Sequence, residues 1–396
     1  MSLYSPEDER RIRSQVLVRE WTKSGLLDPA QGAALEAELR VDVRRTNVFL
    51  RAGLALFTAL IVTASVMFTV VVFHLDRETP LGVTAAVSAV VCLGLAHYLV
   101  VRFRFYRFGV EEALAVGSVA LIALSAVSLT YGLRLPLRVG SAPLMTGLLV
   151  AAAGGLGIYR RFGYVYAAIG AIACAAAAPF QLDITDTLQH TLAAAAFAAA
   201  FFVARTQHKR HHDEYPGDDY ALIEAAAWAG LYLVLNLQLT LARVGGPFFG
   251  SPSPLIGGPF YWFTYAITWA LPLAGLYLAI RDKDRALLDV SLVMMLVTLL
   301  TNKSYLGWPR HEWDPILLGV FLMASAIAVR RWLSSGPNGQ RAGFTPARIL
   351  SKDRGAVTIL GTASAGLHPD APRYPESSSS GFEGGRSGGG GATGSY

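Results

Sequence analysis

The sequence predicts an all-α fold: a polytopic transmembrane helical bundle of about ten spans, with an N-terminal helical hairpin and a disordered C-terminal tail. Two observations predict the bundle and a third orients it. The first is run length. A helix rises about 1.5 Å per residue and a bilayer core is about 30 Å thick, so one span needs roughly 20 mostly apolar residues. Residues 52–73 carry no charge, and similar runs lie near 79–101, 113–133, 139–159, 163–182, 187–204, 220–242, 259–280, 286–301 and 315–329. The second is composition: 53% hydrophobic and 16% charged residues, with a mean hydropathy of +0.41 even with a polar tail included. The Ala-rich runs at 163–182 and 187–204 are only mildly hydrophobic, which leaves nine or eleven spans open.

Orientation follows from the excess of Lys and Arg in cytoplasmic loops. With the N-terminus inside, the four cytoplasmic connections hold eleven Lys and Arg residues and the five opposite ones hold six. Arg40, Arg44 and Arg45 before the first span, and Arg330 and Arg331 after the last, fall on the richer side. Ten spans with both termini cytoplasmic fit this distribution. The net charge of +6 is then largely a topology signal. Cations at span ends meet anionic lipid head groups, so the lipid bilayer is the expected partner and nucleic acid is not. Cys92 and Cys174 both fall within spans, which supports neither a disulfide framework nor a thiolate metal site. The first 47 residues carry charges of both signs and no cleavable signal peptide, so the first apolar run is expected to act as an uncleaved anchor.

Residues 1–47 read as a helical hairpin. Ser5 and Pro6 open a helix with Asp8 in the capping-box position, and Ile12, Val16 and Trp21 space one apolar stripe. Gly25 stops it, Asp28-Pro29 restarts a helix with Gln31 at the reciprocal capping position, and Leu26 and Leu27 fill the angle between the two. Leu35 and Leu39 are the second helix's apolar positions. So small an apolar surface needs support, either from the cytoplasmic loops of the bundle or from a protein partner. Residues 48–332 form the membrane region. Residues 333–396 are low in complexity, with Ser377 to Ser380 and Gly388 to Gly391 in unbroken runs, and cannot bury enough apolar surface to order. Ala356 to Leu360 is the one apolar stretch there.

Two pairs of segments repeat, each pair two spans apart. Arg107-Phe108-Gly109 matches Arg161-Phe162-Gly163, and Asp219 to Glu224 resembles Asp284 to Asp289. Duplicated hairpins explain this, and so does convergence on acids in the first turn of a helix, where the macrodipole favours them.

Trp21, Gly25-Leu26-Leu27, Pro29 and Gln31, followed by a basic stretch and a run of spans, resemble a family of bacterial predicted membrane proteins with an N-terminal helical hairpin and no established activity. The resemblance implies a bacterial cytoplasmic membrane and a helical bundle. It carries over no catalytic residues.

Ionisable residues inside spans point to function, because burying a charge there costs several kcal/mol. The candidates are Glu111, Glu112, Glu224, Asp289, His97 and His190. On this topology the four acids and His97 sit near the cytoplasmic ends and His190 near the outer one. Asp289 lies four residues from Arg285, within pairing distance on one helix face. No acid occupies a midplane, where an ion-coupled transporter needs one. Pro272 interrupts the eighth span, and Asn236 and Gln238 lie in the outer half of the seventh, suited to interhelical hydrogen bonds or to lining a cavity. His208, His211 and His212 with Asp213, Glu214, Asp218 and Asp219 offer metal-ligand types, but their spacing matches no specific site and reads as a solvated loop. Outside, Tyr305, Trp308, Arg310, His311, Glu312, Trp313 and Asp314 form the densest polar–aromatic cluster, as interfacial anchors do. That cluster, with residues 243–260, is where an extracytoplasmic binding site is expected.

No GxSxG elbow, HExxH helix, P-loop or GxGxxG after a strand occurs. No cofactor or metal is expected, and the chain leans away from being an enzyme. The leading expectation is a non-enzymatic membrane-anchored interaction or scaffold protein that presents residues 1–47 to a cytoplasmic partner. The alternative is a permease for a small neutral or weakly polar solute.

Overall fold

The computed structural model describes residues 3–4, 6–23, 27–75, 77–133, 141–210, 217–239, 258–308 and 311–336. Among them are twelve α-helices and no strand beyond one isolated bridge between Arg44 and Phe105. Helices α1 (Pro6–Lys23) and α2 (Pro29–Glu38) precede the long ones: α3 (Val48–Val72), α4 (Glu78–Phe103), α5 (Val110–Gly132) and α6 (Ala142–Phe162). Then come α7 (Val165–Ala177), continued by a 3-10 turn over Ala178–Gln181, α8 (Asp186–Arg210), α9 (Gly217–Leu235), α10 (Pro259–Asp282), α11 (Arg285–Tyr305) and α12 (Asp314–Ser334). The chain forms two compact units, Met1–Leu322 and Met323–Tyr396.

Eight of these helices are long and apolar enough to cross a membrane: α3, α4, α5, α6, α8, α10, α11 and the Ile316–Ser334 part of α12. The chain therefore has the build of a multi-pass membrane protein. The expected spans at 163–182 and 220–242 differ from the rest. Pro179 lacks the N–H that would continue α7, which gives way to the 3-10 turn after 13 residues. Helix α9 carries Asp218, Asp219 and Glu224 in its first two turns, and the end of its expected span lies outside the described residues.

Packing is inverted relative to a soluble protein. Phe57, Leu60, Ile61 and Phe68 on α3 are exposed, while Ala85, Ala89 and Ala96 on α4 and Ala115, Ser118 and Ser125 on α5 are buried. Where the surroundings are as apolar as leucine, helices associate through small residues and hydrogen bonds rather than hydrophobic burial. Gly155 shows the principle: a Cβ there would sit 2.9 Å from the Ala167 carbonyl oxygen and 3.0 Å from the Ala171 Cβ. Only glycine lets α6 and α7 approach so closely.

The N-terminal residues fold back onto the end of the bundle where α4 and α6 finish and α5 begins, called here the near end. The Leu3 N–H donates to the Arg161 carbonyl at 2.7 Å, and Tyr4 is buried edge-on to Tyr106 with ring centroids 4.9 Å apart. Arg13 pairs with Asp219 at 3.5 Å. The Arg44 backbone pairs with that of Arg104 and Tyr106 at 3.0 and 3.1 Å. Ile12 joins one apolar cluster with Val100, Tyr106, Phe162 and Tyr164.

The expected stripe of Ile12, Val16 and Trp21 is not the buried face of α1. Val16 and Trp21 are 49% and 45% exposed, and the buried positions are Ile12, Gln15 and Val18. A polar residue serves at the middle position because both ends of its amide are bonded. Gln15 donates to the Leu39 carbonyl at 2.6 Å and accepts from Arg45 at 2.6 Å. Helices α1 and α2 meet through Arg19 and Glu36 (3.0 Å) and where Thr22 covers Gly32. The Asp28 N–H donates to the Gln31 side chain at 3.2 Å, as the capping pattern requires. Ser5, Gly25, Leu26, the Ala356 to Leu360 stretch and the Gly/Ser-rich tail lie outside the described residues.

Substituting Ile12→Ala is expected to loosen this attachment by about 2–4 kcal/mol, the cost of emptying a buried isoleucine site. Trypsin cleavage at Arg40, Arg44 and Arg45 in detergent micelles should accelerate at least tenfold. Val16→Ala, at an exposed position of the same helix, should leave the rate within twofold of the parent.

Candidate functional site

Helices α9, α10 and α11 face one another with stripes at three- and four-residue spacing. On α9 these are Glu224, Trp228 and Tyr232, with Asn236 one residue past its end. On α10 they are Tyr261, Thr264, Thr268, Pro272, Gly275 and Ala279, and on α11 Leu287, Ser291, Met294, Thr298, Thr301 and Tyr305. Such spacing keeps one face of a helix turned to its neighbour. These residues are all buried, and most carry polar groups.

The middle of this seam follows from Pro272. With no N–H, proline leaves the carbonyl four residues earlier, that of Thr268, without its helical donor. The Thr298 hydroxyl stands there, 2.9 Å from the Thr268 carbonyl and 2.9 Å from its own Met294 carbonyl. Its single proton is shared between the two. Its oxygen accepts from the Tyr232 hydroxyl at 2.8 Å, which in turn accepts from the Asn236 amide at 2.9 Å. Farther along, the Leu237 N–H donates to the Tyr305 hydroxyl at 2.7 Å, and Tyr261 donates to the Tyr305 carbonyl at 2.9 Å. Gln238 donates to the Tyr261 hydroxyl at 2.9 Å, and Tyr265 to Asn302 at 2.8 Å. Asn236, which also donates to the Thr301 hydroxyl on α11 at 3.3 Å, and Gln238 thus bond across helices, and the proline-freed carbonyl is occupied.

Four buried side-chain polar atoms among the described residues have no hydrogen-bond partner, and three of them lie along this seam: Trp228 Nε1, Asn236 Oδ1 and Asp284 Oδ2. Burial without a partner is costly, so such atoms mark places where a hydrogen-bonding group is called for. Trp228 Nε1 packs over Gly275, where a Cβ would come within 2.5 Å of it and 2.2 Å of the Ser291 hydroxyl.

At the near end the seam turns ionic. Arg205 on α8 donates to Glu224 Oε1 at 2.6 Å and also pairs with Asp282. His208 Nδ1 lies 3.0 Å from Glu224 Oε2 and 4.0 Å from Asp284 Oδ2. Asp284 caps α11, its Oδ1 accepting from the Leu287 N–H at 3.2 Å. Burial raises the Asp284 carboxyl above its ordinary range, against the Leu287 amide that holds it down. The expected solvated histidine loop is therefore different in part: His208 belongs to α8 and turns to the bundle, while residues 211–216 lie outside the described residues.

The remaining candidates do not converge on the seam. Glu112 is held by a fork from Arg51, whose Nε and Nη2 donate to its two oxygens at 2.7 and 2.5 Å, and Glu111 Oε1 accepts from the Phe108 N–H at 2.6 Å while its Oε2 is the fourth unpartnered atom. His97 lies 3.4 Å from Arg161, and His190 donates from Nδ1 to the Val234 carbonyl at 2.9 Å. Asp289 is exposed, 3.9 Å from Arg285, beside an open apolar groove between α9 and α11. In the expected outer cluster Asp314 bonds Lys303 at 2.6 Å, which lowers its carboxyl pKa, and accepts from the His311 N–H at 2.9 Å. His311 itself is exposed. Arg310 and residues 243–257 lie outside the described residues.

Sequence reasoning missed Tyr232, Thr298, Arg205 and the meeting of His208 with Glu224 and Asp284. The recurrence of Ser291, Thr298 and Thr301 on one face of an otherwise apolar run was the available signal.

Thr298→Val should cost about 0.5–2 kcal/mol, since it strands the Thr268 carbonyl and the Tyr232 hydroxyl together. Gly275→Ala should cost about 1–3 kcal/mol through overpacking against Trp228 and Ser291. Equilibrium unfolding in mixed SDS micelles measures both. Thr63→Val, which removes only an exposed bond to its own helix, should stay within about 0.5 kcal/mol of the parent.

Compared with known proteins, the chain matches no protein family, no curated protein and no solved structure.

Proposed function

We propose that this chain is a bacterial inner-membrane permease that passes a small neutral polar solute along the seam between α9, α10 and α11. In this reading the bundle has ten spans, α7 and α9 included, with both termini in the cytoplasm and α1 and α2 forming a cytoplasmic hairpin. The Lys and Arg asymmetry of the connections and the resemblance of the N-terminal motif to bacterial predicted membrane proteins support that placement. One observation carries the functional reading: the seam is lined by hydroxyls and amides and holds unpartnered buried polar atoms at Trp228 and Asn236. Such a lining recognises a solute by hydrogen bonds. Between Glu224 and the far end, the buried stripes of the described residues offer no charge for an ion-coupled step. Pro272 supplies the place where α10 bends to open the path, because a proline-interrupted helix has already lost one backbone bond there.

Stopped-flow light scattering on proteoliposomes tests the reading. Glycerol or urea should re-swell them at least fivefold faster than protein-free vesicles, and Asn236→Leu should return the rate to within twofold of the protein-free value. If no solute in a panel of small polyols, amides and neutral amino acids enters faster than in protein-free vesicles, the reading fails.

A second reading, a scaffold that docks a cytoplasmic partner on residues 1–47, is favoured by the exposure of Val16 and Trp21 on the attached α1. It expects a protein co-purifying at fixed stoichiometry from the native membrane that is lost when residues 1–47 are deleted. Unchanged co-purification would count against it.

A further inference from the structure

Three side chains from separate helices converge at the near end of the seam with a donor set unlike its hydroxyl lining. His208 from α8, Glu224 from α9 and Asp284 at the start of α11 bring one nitrogen and two carboxylate oxygens within 4.8 Å of one another. We infer that these three residues bind a single divalent transition-metal ion of the Mn2+ or Zn2+ class.

Each carboxylate is pinned by one oxygen and offers the other. Arg205 holds Glu224 Oε1 at 2.6 Å, which aims Oε2 at His208. The Leu287 N–H holds Asp284 Oδ1 at 3.2 Å, which leaves Oδ2 buried and without a partner. The two acidic side chains are 1% and 6% exposed, so neither is a solvated surface acid. Metal sites are oriented in this way, by outer hydrogen bonds that fix ligands before the ion arrives.

The charge count points the same way. Among the described residues, the ion pairs of the cluster set Glu224, Asp282 and Asp284 against one fixed cation, Arg205. A dication at the three donors makes the group neutral, which a buried cluster at a span end favours. Tetrahedral bonds of about 2.0–2.2 Å place ligand atoms roughly 3.3–3.6 Å apart, so side-chain shifts of about an ångström bring the donors together. One imidazole with two carboxylates suits Mn2+, Fe2+ or Zn2+ better than Ca2+, whose sites are built of oxygens alone. Three protein ligands leave a coordination position open. The inference does not depend on the permease reading, because it concerns binding at the seam's end and not passage along it.

The test is metal content of the full-length chain in detergent. The protein is stripped with chelator, loaded with Mn2+ or with Zn2+, passed over a desalting column and measured by elemental mass spectrometry. The parent should retain one ion per chain. His208→Gln and Asp284→Asn should each retain less than a tenth of that, while Asp289→Asn, an exposed acid one turn farther along α11, should retain it fully. Asparagine still caps α11, so Asp284→Asn should fold, and size-exclusion elution checks this for every variant. As a second measurement, Mn2+ should raise the parent's thermal midpoint and leave that of His208→Gln unmoved. A metal-free parent, or retention and midpoint shifts equal in the parent and both ligand variants, would overturn the inference.

Discussion

The carbonyl of Thr268 has no helical donor, because Pro272 stands four residues beyond it, and in a hydrocarbon setting no solvent takes the donor's place. That constraint shapes the C-terminal half of the bundle. Every polar backbone group in a span must find a partner inside the protein, and the partner here is a side chain from another helix, Thr298. Once Thr298 is fixed, Tyr232 and then Asn236 follow in a relay of hydroxyl and amide that ties α9, α10 and α11 together. The close approach of the three helices at Gly275 is the steric counterpart of the same arrangement.

The charged groups obey a related rule near the helix ends. Glu112 with Arg51, and Glu224 with Arg205, are paired at short distance on their buried sides. A guanidinium fork matches a carboxylate in shape and stays protonated when buried, so arginine rather than lysine provides both partners. The N-terminal residues brace this end of the bundle: Arg13 reaches Asp219 at the start of α9, and Tyr4 covers the turn between α4 and α5 through Tyr106. The permease and metal-site proposals thus concern one region, with an uncharged seam running from a charged and braced end.

The two pairs of similar segments differ in their structural settings. Gly109 and Gly163 both adopt positive φ, 109° and 71°, but Gly109 precedes α5 while Gly163 ends α6 in the left-handed region, so the matching Arg-Phe-Gly motifs serve different turns. The acidic repeat does not keep its equivalence. Glu224 is buried and twice bonded, while its counterpart Asp289 is exposed and at most weakly paired with Arg285. Glu224 instead meets Asp284, the residue that begins the second of the two similar segments. Helix rotation about its axis decides which member of a repeat faces inward, and a six-residue motif does not encode that rotation.

The sequence by itself determined that the chain is helical and where its long apolar helices begin and end to within a few residues, while for Asn236 and Gln238 it left bonding between helices and lining a cavity both open. Run length and charge exclusion are local properties, fixed by bilayer thickness and helix rise, and so they are legible along a line. It also marked Pro272 as an interruption, although α10 runs unbroken through that residue. It did not determine which face of α1 would be buried, because Gln15 becomes a core residue only when Leu39 and Arg45 come to it from elsewhere in the chain. Nor did it identify Thr298 as the partner of the Thr268 carbonyl. His208, Glu224 and Asp284 are spread over 77 positions of sequence, and no spacing rule joins them. The tertiary structure alone decided their meeting, since it depends on the crossing and rotation of three helices. Those are set by how small and polar side chains pack across the whole seam.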